Sequence, residues 1–204
     1  MTVHSHELFR SSRQPFIAVG GITWQGQADA AVAFGVRCLV FDFMPGGIHT
    51  VSVDSAELVS SANVVRIGHF SAATLPSVSR IMRQSRLDYA CLHGECEPEA
   101  AACALGADRV IRAFSAACVT QEALASWAPY CTGYYIRMNS PEDAARVSAL
   151  HVPRPWLCSG AVFGCCGADG VELLPLNTES LLREMLELES TEYSAKRMVG
   201  AVYE

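Results

Sequence analysis

Eight short apolar runs recur along this chain at near-regular intervals, and each is separated from the next by a stretch with helical punctuation. The runs are Phe16 to Gly20, Cys38 to Phe43, Val64 to Phe70, Leu87 to Leu92, Arg109 to Ala113, Gly133 to Met138, Pro155 to Ser159 and Val171 to Leu176. Runs of four to eight such residues read as strands, and their alternation with amphipathic segments is the pattern of a parallel sheet covered by helices. Leu75, Val78, Ile81 and Met82 make one apolar helical face. Ser140 followed by Pro141, Glu142 and Asp143 is a helix cap with proline at the first helical position and acids in the first turn. Pro98 opens an Ala-rich helix ending near Gly106, and Thr178 caps a further one carrying Leu181, Leu182, Met185 and Leu186. Eight strand and helix pairs with no domain break predict an α/β fold of the (β/α)8 TIM-barrel type, somewhat shortened in its C-terminal half. A dinucleotide-binding sheet does not fit, because Gly20-Gly21 is not continued by the remaining glycines of that fingerprint. The barrel is assigned to residues 15–190, after a polar extension over 1–14 and before a tail over 191–204.

The 204 residues are 50% hydrophobic and 18% charged, enough for one sizeable core. The net charge of −6 carries no attraction for a phosphate backbone, so nucleic acid is excluded as an expected partner. No apolar run has the length of a membrane span and the N-terminus lacks a signal-peptide core, so no membrane partner is expected and the location is read as cytoplasmic. Nine cysteines are an odd number, and Cys38, Cys103, Cys118 and Cys158 sit among apolar residues, where a free thiol behaves as a small hydrophobe. With no CxxC pair, neither a metal nor any other cofactor is expected. Adjacent Cys165 and Cys166, flanked by Gly164 and Gly167, read as a Gly/Cys-rich loop.

Five pieces, in order, carry a family resemblance. Ile17-Ala-Val-Gly-Gly-Ile-Thr23 is similar to V-K-I-C-G-I-T, and Leu39 to Ser52 is similar to L-G-F-I-F-x-P-x-S-P-R-x-V-S without a gap. Gly68-His-Phe70 matches G-V-F, Leu87 to Gly94 matches L-D-x-V-Q-L-H-G, and Val110-Ile-Arg-Ala-Phe114 matches V-I-K-A-F. These are motifs of the phosphoribosylanthranilate isomerases, and the chain resembles that family over about residues 16 to 114. The resemblance implies a (β/α)8 barrel, a place in tryptophan biosynthesis, and an Amadori rearrangement needing one proton donor and one proton acceptor.

At both catalytic positions the chain departs from the family. The family's general base, the Cys ending the first strand, aligns with Gly20, which has no side chain. Its general acid, an Asp ending the sixth strand, aligns with Arg137, whose guanidinium keeps its proton at neutral pH. His49 replaces a family Arg, Cys91 replaces a Gln, and the G-G-T-G phosphate loop after the sixth strand has no counterpart. The resemblance therefore predicts an isomerase-like barrel with lost or strongly reduced isomerase activity. The alternatives are an active isomerase of a phosphorylated amino-sugar using displaced groups, or a non-catalytic ligand- or protein-binding barrel.

Asp42, Cys91 and His93 are the candidate displaced groups. Cys91 and His93 share a strand face, so the imidazole could activate the thiol, although packing is the plainer reading. Asp42 replaces an apolar family residue and calls for a partner, for which Arg112 and Arg137 are the candidates. His49, His93, Arg112, Arg137 and Gly160 are the candidate ligand-binding residues, for a phosphorylated small molecule. Adding Cys96 to Cys91 and His93 gives C-x-H-x-x-C, too thin a pattern for a metal site. The number of subunits is left open.

Overall fold

A computed structural model of the chain describes residues 16–60, 63–159 and 167–174, together with 180 and 183. Eight parallel strands close into one barrel in sequence order. They are β1 (Phe16–Val19), β2 (Cys38–Asp42), β3 (Val65–Ser71), β4 (Tyr89–His93), β5 (Val110–Ser115), β6 (Gly133–Arg137), β7 (Trp156–Ser159) and β8 (Gly170–Leu173). Six helices alternate with the first seven strands: α1 (Gln25–Ala33), α2 (Val53–Leu58), α3 (Leu75–Gln84), α4 (Pro98–Leu105), α5 (Gln121–Trp127) and α6 (Pro141–Ser148). Closure comes from β1 lying beside β8, with Ala18 opposite Glu172 and Val19 opposite Leu173. Only residues 160–169 separate β7 from β8, each four residues long, in keeping with the shortened second half. No described helix is long and apolar enough to cross a membrane. The seven cysteines among the described residues form no disulfide with one another. The extension, the tail, the helix after Thr178, Gly160 and the Cys165-Cys166 loop lie wholly or largely outside the described residues.

Local chemistry explains several boundaries. Ser140 accepts a hydrogen bond from Asp143 N at the start of α6, and Thr120 accepts one from Ala123 N at the start of α5, each satisfying an orphan donor of the first turn. Gly106 ends α4 at φ 87°, a conformation that favours glycine. The fourth strand begins at Tyr89 rather than Leu87, because Arg86 turns at φ 52° and Leu87 N donates back to Met82 O. The fifth begins at Val110 rather than Arg109, because residues 107–109 form a short 3-10 turn.

Strand alternation sorts side chains into two cores. Ala18, Cys38, Val40, Ile67, Tyr89, Cys91, Ile111, Ala113, Tyr135 and Leu157 fill the barrel interior. The opposite faces, with Leu39, Phe41, Phe70, Leu92, Val110, Tyr134, Ile136 and Cys158, pack under the helices. Into this outer layer Arg66 of β3 projects, 7% exposed, below the Phe41 ring at 4.4 Å. Its guanidinium donates to Ala56 O (2.8 Å), Val59 O (2.9 Å) and Ser85 O (3.0 Å), tying the ends of α2 and α3 to the sheet.

Candidate active site

Active sites of this fold lie at the C-terminal ends of the strands. Here Gly20 follows β1, Asp42 ends β2, His93 ends β4 and Arg137 ends β6. Counting by twos from the interior core places Asp42, His69, Cys91, His93, Tyr135, Arg137 and Glu172 on the interior face of their strands. Cross-strand register brings Asp42 beside His69 and His69 beside Cys91.

The upper interior is polar and ring-lined. The His69 and His93 rings lie 4.8 Å apart between centroids, and Tyr135 meets His69 at 5.0 Å and His93 at 5.9 Å. Tyr135 hydrogen-bonds through its side chain to the Glu172 carboxyl. The second carboxyl oxygen, Glu172 Oε2, is buried with no hydrogen-bond partner among the described residues and lies 3.9 Å from His69 Nε2. That contact is not an ion pair. Burial lowers the His69 pKa to about 4 against the pull of Asp42. Burial also raises that of Glu172 to about 7, opposed by the Tyr135 hydrogen bond and assisted by Asp42. At neutral pH the imidazole is uncharged and the carboxyl is part-protonated.

Cys91 Sγ lies 3.7 Å from His93 Nε2, so the expected proximity exists. Activation does not follow. Burial pushes the Cys91 thiol well up, with Glu172 adding to the shift and Arg112 opposing it. His93 is lowered to about 3 by burial, then by His69, Arg137 and Arg112. A neutral imidazole beside a protonated thiol lacks the ion-pair character of a cysteine nucleophile.

The Asp42 ion pair predicted from sequence does not form among the described residues. Asp42 instead accepts from Met44 N at 2.8 Å and holds the loop after β2, while its backbone oxygen accepts from Val51 N at 2.8 Å. Arg112 points away from the interior because it alternates with Ile111 and Ala113. Its guanidinium lies over Trp127 (4.8 Å) and Phe114 (5.2 Å) in the outer layer and donates to Leu92 O at 3.2 Å. Arg137 is exposed at the end of β6, and half-buried His49 packs against Gly21. Cys96 does not join Cys91 and His93; the third member of their cluster is His69, and the three ligand atoms lie within 4.8 Å of one another.

His69, Tyr135 and Glu172 were missed by the sequence reading. A signal existed for Glu172, since a carboxylate inside an apolar strand calls for a reason as much as Asp42 does. Its carboxyl stands where a side chain at Gly20 would begin: a Cβ there would collide with Glu172 Oε1 and lie 2.6 Å from Leu174 Cδ2, so these side-chain ends would have to move aside. The Gly20→Cys chain is therefore expected to lose about 1–2 kcal/mol, the ordinary cost of overpacking. In a Glu172→Ala background much of that loss should vanish, which denaturant midpoints of the four chains can measure as a coupling energy. Additive effects would show that the two side chains do not compete for this space.

No protein-family model matches the chain. It is 32% identical over 176 residues to an N-(5'-phosphoribosyl)anthranilate isomerase of Desulfovibrio desulfuricans, covering 76% of this chain and 83% of the relative. Among solved structures it is similar to a phosphoribosyl anthranilate isomerase from Thermus thermophilus, with TM-score 0.67 and 24% identity over 85% of this chain and 99% of that one. Another similar structure, at TM-score 0.59 and 19% identity over 79% of this chain and 87% of that one, is a phosphoribosyl anthranilate isomerase in complex with reduced 1-(o-carboxyphenylamino)-1-deoxyribulose 5-phosphate. An eight-stranded barrel with the family's motifs in register, and a curated relative matched over most of its length, make this chain a member of the phosphoribosylanthranilate isomerase family.

Proposed function

We propose that this barrel has lost, or strongly reduced, the family's isomerisation and keeps its mouth as a pocket for a small phosphorylated ligand. One observation carries the reading: Gly20, aligned with the family's general base, supplies no proton acceptor, and Glu172 takes up the space where a side chain would stand. Arg137, aligned with the general acid, is a poor donor at neutral pH. Its exposed guanidinium at the rim suits a phosphate or carboxylate instead. Asp42 is engaged in its own loop and Cys91 keeps its proton, which leaves neither well suited to replace the lost groups.

The test has two arms. Turnover of N-(5-phosphoribosyl)anthranilate should be slight, whereas reduced 1-(o-carboxyphenylamino)-1-deoxyribulose 5-phosphate, the ligand seen in the family structure, should raise the melting temperature. Ordinary turnover overturns the proposed loss, and an unmoved melting temperature at millimolar ligand overturns the retained pocket. A second reading has its own support in the Glu172 carboxyl beside Gly20: an isomerase of a phosphorylated amino-sugar with a displaced acid/base group. Loss of turnover in Glu172→Gln would favour it.

A further inference from the structure

The polar residues that depart from the family motifs converge on one spot inside the barrel. His69 stands where G-V-F has Val, and Cys91 stands where Q-L-H-G has Gln. They are opposite one another in the β3–β4 ladder, and His93 is the next interior residue on β4. Their ligand atoms lie within 4.8 Å of one another, and Cys91 Sγ and His93 Nε2 are 3.7 Å apart. For tetrahedral zinc, bond lengths of ~2.3 Å to sulfur and ~2.05 Å to nitrogen give a sulfur-to-nitrogen edge of ~3.6 Å. The observed edge already matches. The remaining separations, up to 4.8 Å, exceed such edges, so the His69 ring has to turn toward Cys91 and His93 when an ion binds.

A second observation points to a ligand independently. Glu172 is 4% exposed, and its Oε2 has no hydrogen-bond partner among the described residues, although it faces His69 Nε2 at 3.9 Å. An orphaned buried carboxyl oxygen costs free energy unless something compensates it. A cation held beside His69 would do so.

From these positions we infer that His69, Cys91 and His93 form a binding site for one zinc-like divalent ion, with Glu172 as the neighbouring carboxylate. Two imidazoles and a thiolate are the donor set of a borderline-soft metal rather than of magnesium or calcium. On binding, the Cys91 thiol gives its proton to solvent and the sulfur forms the metal bond, so no oxidant or reductant takes part. Three protein ligands leave the fourth tetrahedral position to Glu172 or to a water molecule. The inference stands apart from the isomerase question, since the site either binds the ion or does not whatever the chain turns over.

Reduced, chelator-treated full-length protein titrated with Zn2+ by calorimetry should take up one tight equivalent. Saturation at about a hundredfold over Kd should raise the melting temperature by roughly 5–10 °C. Cys91→Ser and His69→Gln should each weaken binding by at least about 100-fold, more than the loss of an outer-shell partner. Cys165→Ser with Cys166→Ser should leave it unchanged. X-ray absorption of the wild-type zinc complex tests the ligand set without any variant: one sulfur at ~2.3 Å with nitrogen or oxygen at ~2.0–2.1 Å is expected. Absence of a saturable equivalent, a two-sulfur shell, or binding that survives Cys91→Ser and His69→Gln would each overturn the inference.

Discussion

Purified protein is expected to convert N-(5-phosphoribosyl)anthranilate at least about 10⁴-fold more slowly than its Desulfovibrio desulfuricans relative, compared as kcat/KM in the same buffer. General acid and general base assistance contribute roughly 10²- to 10⁴-fold each. Groups that act in one proton relay are not additive when removed together, so the lower end of the product is the safer expectation. The chain has Gly20 and Arg137 where the family's two proton-transfer groups align. Restoring them by Gly20→Cys with Arg137→Asp should achieve little, because the introduced thiol side chain would compete with Glu172 for one space. Adding Glu172→Ala makes room, so the triple variant is the one in which a gain should be sought. Wild-type turnover within about tenfold of the relative would sink the reading; Glu172→Gln and Cys91→Ser would then show which group had taken over.

The largest expected effect on stability lies away from the site. Arg66→Met should lower the melting temperature by roughly 6–15 °C, measured by calorimetry at fixed pH. The guanidinium is the donor to the backbone oxygens of Ala56, Val59 and Ser85. Methionine keeps much of the stem's volume but donates nothing, so these oxygens lose their side-chain donor. Leaving a buried polar group unsatisfied costs about 1–3 kcal/mol, and partial relaxation makes the combined loss about 3–4 kcal/mol. For a domain of this size each kcal/mol is worth roughly 2–4 °C. Arg66→Lys should recover part of the loss, since one ammonium cannot serve every oxygen that the planar fork reaches. A drop below 2 °C for the methionine variant would mean that the ends of α2 and α3 are held by other contacts.

The elements of the fold were legible in the chain because their causes are local. Ser140 caps α6 through a bond made within one turn of itself, Pro98 stands at the first position of α4, and Gly106 ends that helix at φ 87°. All eight apolar runs became strands. At Leu87 and Arg109 a preceding turn captured residues with strand-like side chains, and the eighth strand, expected over Val171 to Leu176, is Gly170–Leu173.

The site was only partly legible, for a reason of distance along the chain. Asp42, Cys91 and His93 could be marked because each is a polar residue in an apolar strand, and the family motifs marked Gly20 and Arg137. Which partner each would meet was decided by closure and register. Closure laid β8 against β1 and brought Glu172 to Gly20, more than 150 positions apart, and register set His69 beside Cys91. Arg112 shows the same limit from the other side. Its sequence neighbours gave no direction, and only the alternation of the closed barrel turned it outward onto Trp127. The sequence determined by itself the eight strands and the helices that alternate with the first seven of them, since capping and periodicity act within a few residues. The tertiary structure alone decided which side chains share the interior, since that depends on contacts between strands that no local pattern encodes.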